Sequence, residues 1–178
     1  VEIALVDEGG KPTGEKRTLS TRNIVIATGA QPFVPPIPGI ADMGYYTSDT
    51  LWNLREQPGR LLVLGGGPIG CELAQSFRRL GSQVIQVEMA REDADVSKEV
   101  QKRFVAEGVD VRVGCKATQF VVRDGQKILL AEQSLPGGAV EKVEIAFDVL
   151  LCAVGRSARV TGFGLEDLKI PLGKSRTI

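Results

Sequence analysis

Histidine is absent from the 178 residues. That excludes imidazole acid–base chemistry and imidazole metal ligation by this chain's own side chains. Cysteine is scarce: Cys71, Cys115 and Cys152 lie 44 and 37 residues apart, so no CxxC or similar redox or zinc spacing exists. Each is expected to be a buried, reduced thiol in a cytoplasmic protein. Excess charge is absent too. The 22 basic and 22 acidic residues balance, and no run of Lys or Arg builds a local field, so no nucleic acid partner is expected. Long apolar runs are missing; residues 149–154, among the longest, are far too few to span a bilayer, so no membrane association is expected. The opening Val1-Glu2-Ile3 shows no basic n-region or apolar h-region of a signal peptide. With 43% hydrophobic residues, the chain suits one globular domain with trimmings.

Glycine and proline punctuate what is present. Residues 1–30 read as a hairpin, with partial alternation over 1–6, a Gly9-Gly10 turn and a short buried-strand run over 23–27. Pro32, Pro35, Pro36, Pro38 and Gly39 exclude helix and interior strand and read as a linker. Thr47-Ser48-Asp49 offers caps for a short helix carrying Leu51, Trp52 and Leu54. The clearest unit spans 60–88. It has an apolar strand over 60–64, a glycine turn over 65–70, a helix over 71–80 and a second strand over 83–88. Leu73, Ala74, Phe77 and Leu80 share one face of the helix, and Gly81 ends it. Val96, Val100 and Phe104 mark another helix, followed by a strand over 109–113. A β-meander over 118–123, 127–133 and 140–147 then stands where a repeating unit would place a helix, and a last buried strand covers 149–154. A short helix is suggested at 165–168. The fold class is α/β, with a parallel sheet built from βαβ units.

Gly65, Gly67 and Gly70 form G-x-G-x-x-G between an apolar strand and a helix. Gly65 permits the tight turn, Gly67 leaves room for a pyrophosphate, and Gly70 lets helix and strand approach. Pro68 fits the first helical turn, whose exposed N–H groups would face a diphosphate. Glu88, 23 residues beyond Gly65, ends the next strand; its carboxylate can accept both hydroxyls of a ribose and would repel a 2′-phosphate, favouring NAD over NADP. Arg60 and Arg91 could soften that repulsion and leave NADP possible. Glu72 reads in two ways: a favourable charge in the first turn of the helix, or a contact with the nicotinamide end of a cofactor. A helix N-terminus can lower the pKa of Cys71, but with no second cysteine nearby in sequence it reads as a packing residue.

Four stretches in this order resemble the FAD-dependent pyridine nucleotide–disulfide oxidoreductases, in particular the branch of dihydrolipoamide dehydrogenase and mercuric reductase. They are Asn23 to Ala30 with Pro32, Gly65 to Ala74, Val87-Glu88, and Leu151 to Arg156. The resemblance implies a Rossmann-like NAD(P)-binding domain over 36–159. An FAD-domain remnant (hairpin and linker) would cover 1–35, and the start of a return to that domain 160–178. It implies that Gly65, Gly66, Gly67, Pro68, Ile69 and Gly70 hold the pyrophosphate, with Cys71 beside them. Ile69 and Glu72 would lie near the nicotinamide, Glu88 on the ribose and Ala117 beside the adenine. The backbone of Gly155 would approach the nicotinamide side, and Thr28 and Gly29 the flavin region. The family's FAD fingerprint, its Cys-x4-Cys pair and its dimerisation domain with a His-Glu base have no counterpart in these residues. Between Glu88 and Asp93 the chain is several residues shorter than the family pattern, and the common Gly-Arg-x-Pro-Asn reads Gly155-Arg156-Ser157-Ala158-Arg159.

The expectation is therefore an NAD(H)-binding domain without turnover of its own, from an intact homodimeric flavoenzyme that would pass a hydride from NADH to FAD. Alternatives are a free-standing nucleotide-binding module, or a domain of a flavin NADH oxidase or ferredoxin reductase relative. Residues 24–26 would expose an apolar edge through which the N-terminal hairpin could self-associate. Glu88→Ala is expected to erase the preference for NADH over NADPH, measured as the ratio of the two affinities in titrations at one salt concentration.

Overall fold

The computed structural model describes residues 1–89, 94–173 and 177. In chain order the strands are β1 (Glu2–Val6), β2 (Pro12–Thr18), β3 (Ala30–Pro32), β4 (Tyr46–Thr47), β5 (Arg60–Leu64), β6 (Gln83–Glu88), β7 (Asp110–Val113), β8 (Cys115–Arg123), β9 (Gln126–Ser134), β10 (Val140–Phe147), β11 (Val149–Cys152) and β12 (Arg156–Ala158). The α-helices are α1 (Pro68–Arg79) and α2 (Ala94–Ala106).

Four consecutive apolar residues, Leu61 to Leu64, have no polar face to give to water. The fold answers by placing β5 at the centre of a five-stranded sheet of order β4-β11-β5-β6-β7, parallel throughout. Its side chains alternate between two cores. Leu62 and Leu64 join Val87, Leu150 and Cys152 on one face, against Phe120, Leu129, Ile145 and Phe147 of the antiparallel sheet β10-β9-β8. Leu61 and Val63 join Val84 and Leu151 on the other, against Ala74 of α1 and Phe104 of α2. The result is three layers, helices on sheet on sheet. Phe120 and Phe147 meet edge to face at 5.9 Å. The expected βαβ unit and meander are present, and the architecture is the anticipated Rossmann-like α/β fold. The meander covers one sheet face as a crossover helix would.

Several expectations are corrected. The partner of β1 is β2, a polar strand that carries no apolar alternation. Residues 23–27 form no strand: Ile24 and Val25 are 61% and 88% exposed, because no described strand pairs with them. Helix α1 begins at Pro68, three residues before the expected start, since Gly67 already caps it. Leu80 sits just past the helix end and is exposed. The short helix near Leu51 is a single 3-10 turn, Leu51–Asn53, that buries Leu51 and leaves Trp52 exposed. Residues 165–168 form turns only. The linker prolines do include an edge strand: β3 pairs with β12, a strand the sequence reading omitted. Arg91 and the shortened spacing near it lie outside the described residues. Among the described residues no helix is long and apolar enough to cross a membrane.

Far from the glycine turn, Glu107 ties the ends of the two helices together. Its carboxylate accepts from Arg79 at 2.8 and 2.9 Å, Gln75 at 3.0 Å and Arg103 at 3.1 Å. The hydrogen bonds from Arg79, above all, bring its pKa from 4.5 down to about 2. A lowered folded-state pKa gives stability that is complete above pH 4.5 and fades as the pH falls toward 2. Glu107→Gln is expected to flatten that part of the melting-temperature profile, measured by thermal denaturation across the acid range.

Candidate functional site

Strands β5, β6 and β11 run parallel, so their C-terminal ends open on one edge, where such sheets present ligand sites. There the chain turns tightly. Gly65 has φ +116°, and a Cβ on it would lie 2.4 Å from the carbonyl oxygen of Ala153. A Cβ on Gly70 would lie 2.3 Å from the carbonyl oxygen of Gly65, so α1 rests directly on the strand end. A Cβ on Gly66 would press on Glu88 at 2.9 Å. Gly67 differs: its backbone is extended and nothing lies within 4 Å of its Cβ position. The three motif glycines are thus glycine for three reasons: a left-handed backbone, an open approach and a tight contact.

The turn borders a cleft of about 670 Å³. Gly65, Gly67, Pro68, Ile69, Glu88, Ala117 and Gly155 line it, joined by Phe33, Met89, Lys116 and Val154. These are the expected residues from both halves of the sheet, brought together by the parallel order. Lys116 and Met89 were not expected; each lies one residue from an expected position and carries no motif of its own. Gly66, Gly70, Cys71 and Glu72 stand behind the turn or on α1 and do not line the cleft. Glu72 is exposed, and because α1 starts at Pro68 it falls in the second turn, which removes the reading as a first-turn charge. Thr28 and Gly29 lie away from the cleft. Thr28 Oγ1 donates to the Arg159 carbonyl at 2.7 Å, and the Gly29 carbonyl accepts the Arg159 N–H at 3.0 Å. Arg156 fastens the same region, donating to Ala30 O at 2.6 Å and to Ser48 Oγ and Asp49 Oδ1 at 3.2 Å.

Charge and hydrogen bonding at the turn are specific. Glu88 Oε2 accepts the Gly66 N–H. Arg60, considered above as a counter-charge to a 2′-phosphate, opens β5 at the opposite edge of the sheet. There it grips Asp148 at 2.6 Å, which removes it from the cleft. The thiols are not activated. Burial pushes Cys71 up, does the same to Cys115, and carries Cys152 to about 11. One residue the sequence reading missed is Gln86. It is 2% exposed in the middle of β6, and its amide donates to the Gly65 carbonyl at 3.1 Å. A polar residue inside an otherwise apolar strand was the available signal.

The family model for pyridine nucleotide-disulphide oxidoreductases matches residues 3–178. The mitochondrial dihydrolipoyl dehydrogenase of Dictyostelium discoideum is 34% identical over 181 residues, which cover 98% of this chain and 36% of that protein. A mercuric reductase of Streptomyces lividans is 35% identical over 178 residues, covering 98% and 35%. The solved HOCl-induced flavoprotein disulfide reductase of Escherichia coli superposes with a TM-score of 0.70 at 34% identity, over 83% of this chain and 33% of that one. The chain spans about a third of the length of the curated relatives it matches.

Gly70→Ala is expected to cost about 1–3 kcal/mol, because its Cβ meets backbone that cannot step aside. Gly67→Ala, facing open space, is expected to stay within about 0.5 kcal/mol of the unsubstituted chain. Chemical denaturation of the two variants side by side checks the contrast.

Proposed function

We propose, for a chain that belongs to the pyridine nucleotide-disulphide oxidoreductase family, the role of nicotinamide-dinucleotide-binding domain in a flavin-dependent disulfide reductase. On this reading residues 36–159 are the binding domain, 1–35 belong to the flavin domain, and 160–178 lead back to it. One observation carries the reading: the glycine turn leaves donors unpaired at the start of α1, beside the cleft, while its acceptors are paired within the protein. The carbonyls of Gly65, Gly66 and Gly67 accept from Gln86, Cys71 Sγ and the Cys71 N–H. The N–H groups of Gly67, Ile69 and Gly70 have no partner among the described residues. Donors at a helix start, with open space above Gly67, fit a diphosphate.

In this role Gly65 to Gly70 hold the diphosphate, and Lys116 adds a cation to the same cleft. Glu88 receives the ribose, Ala117 flanks the adenine, and Ile69 and the backbone of Gly155 attend the nicotinamide end, while Glu72 stands outside the cleft on α1. Thr28 and Gly29 stand toward the flavin. When bound, NADH supplies a hydride for reduction of a flavin. The residues of this chain bind and orient; its three cysteines are free thiols with raised pKa, and turnover is assigned to the intact enzyme.

Calorimetric titration with NADH and then NADPH at fixed salt tests this. Saturable NADH binding, tighter than NADPH and weakened by Gly67→Ala at unchanged stability, is the expected result. No heat with either nucleotide would overturn it.

A further inference from the structure

The turn's donors face the cleft only while its peptide planes hold one orientation, and two side chains outside the cleft fix them. A trans peptide is planar, with its C=O and the next N–H pointing in opposite directions. Whatever anchors a carbonyl therefore aims the following N–H. The Gly65 carbonyl is held by Gln86 Nε2 at 3.1 Å, and the Gly66 N–H on the far side of that plane meets Glu88. The Gly66 carbonyl is held by Cys71 Sγ at 3.2 Å, which turns the N–H of Gly67, a residue that lines the cleft, the opposite way. Gln86 Nε2 also lies 3.6 Å from Cys71 Sγ, so one amide supports both anchors.

We propose that Gln86 and Cys71 are positioning residues for dinucleotide binding: together they set the peptide planes of Gly65-Gly66 and Gly66-Gly67, and with them the affinity of the turn for a diphosphate. This inference rests on the nucleotide-binding role above. The chemistry of the two groups suits the task. An amide can donate two hydrogens, so Gln86 serves a carbonyl and a sulfur at once. A thiol donates weakly and only while protonated, and burial with Glu88 and Glu72 nearby keeps the Cys71 proton in place. Freed from its anchor, the Gly66 plane could rotate and bring a carbonyl oxygen toward the anion.

The test uses the whole chain with NADH as ligand and amide resonances of the turn as a second readout. Gln86→Met preserves length and removes both donors; Cys71→Ala removes one; Cys71→Ser restores a hydroxyl donor. The first two are expected to weaken NADH binding about tenfold, and Cys71→Ser is expected to stay within about threefold of the original. The amide resonances of Gly66 and Gly67 are expected to move in the two weakened variants without nucleotide present. Glu107→Gln, which loosens the helix ends away from the turn, is expected to leave the affinity unchanged and so separates positioning from general destabilisation. If NADH binds the original chain and both Gln86→Met and Cys71→Ala bind it equally well, the proposal is wrong. If the original chain binds no NADH, the nucleotide-binding reading fails instead. The turn's resonances then decide the anchoring: unmoved Gly66 and Gly67 signals in both variants sink it, and shifted ones uphold it.

Discussion

Burial of β5 on both faces is the constraint from which the other layers follow. Leu61, Leu62 and Val63 are fully excluded from solvent, and each fully buried aliphatic side chain of this size contributes about 1.5–3 kcal/mol. A strand apolar on both sides needs a cover on both sides. The helices provide one and the antiparallel sheet the other, so two α-helices among the described residues suffice to close a doubly covered parallel sheet. The same burial aligns the strand ends. Because β5, β6 and β11 are locked in parallel register, Leu64, Glu88 and Cys152 reach one edge within a residue or two of each other, and the glycine turn meets the loop after β11 there.

The site is a set of compromises made by backbone. Gly65, Gly66 and Gly70 each yield a Cβ to a different neighbour: the Ala153 carbonyl, the Glu88 side chain and the Gly65 carbonyl. The crowding beneath the turn is what leaves space above it. Polar groups obey the same division. The carbonyls of Gly65, Gly66 and Gly67 are paired inside the protein, whereas the N–H groups of Gly67, Ile69 and Gly70 have no partner among the described residues. The polar interior that this requires is small, one glutamine and one thiol, and no buried side-chain nitrogen or oxygen is left without a partner among the described residues.

Much of this was legible in the sequence where the signal is local. The strand–turn–helix–strand unit follows from a continuous apolar run, clustered glycines and helical periodicity, and the strand β6 falls on the anticipated residues. The meander follows from two glycine-containing turns between extended stretches. Errors arose where the deciding partner is distant. Residues 23–27 have the composition of a buried strand, yet apolarity cannot state whether a covering sheet is present, and Val25 is largely exposed. The strand β2 has polar residues on both faces because both are wet, which erases the alternation that reveals strands. Arg60 could be placed only by its bond to Asp148, 88 residues on, and Gln86 only by its contact with a carbonyl 21 residues earlier.

The ribbon of β3 and β12 makes the central body a cassette with a single doorway. Its first strand, Ala30–Pro32, and its last, Arg156–Ala158, lie side by side, sealed by Arg156 across to Ala30 and by Thr28 onto Arg159. Entry and exit are neighbours, so the long stretch between β3 and β12 begins and ends at one place. Little extra loop-closure entropy is lost for its length.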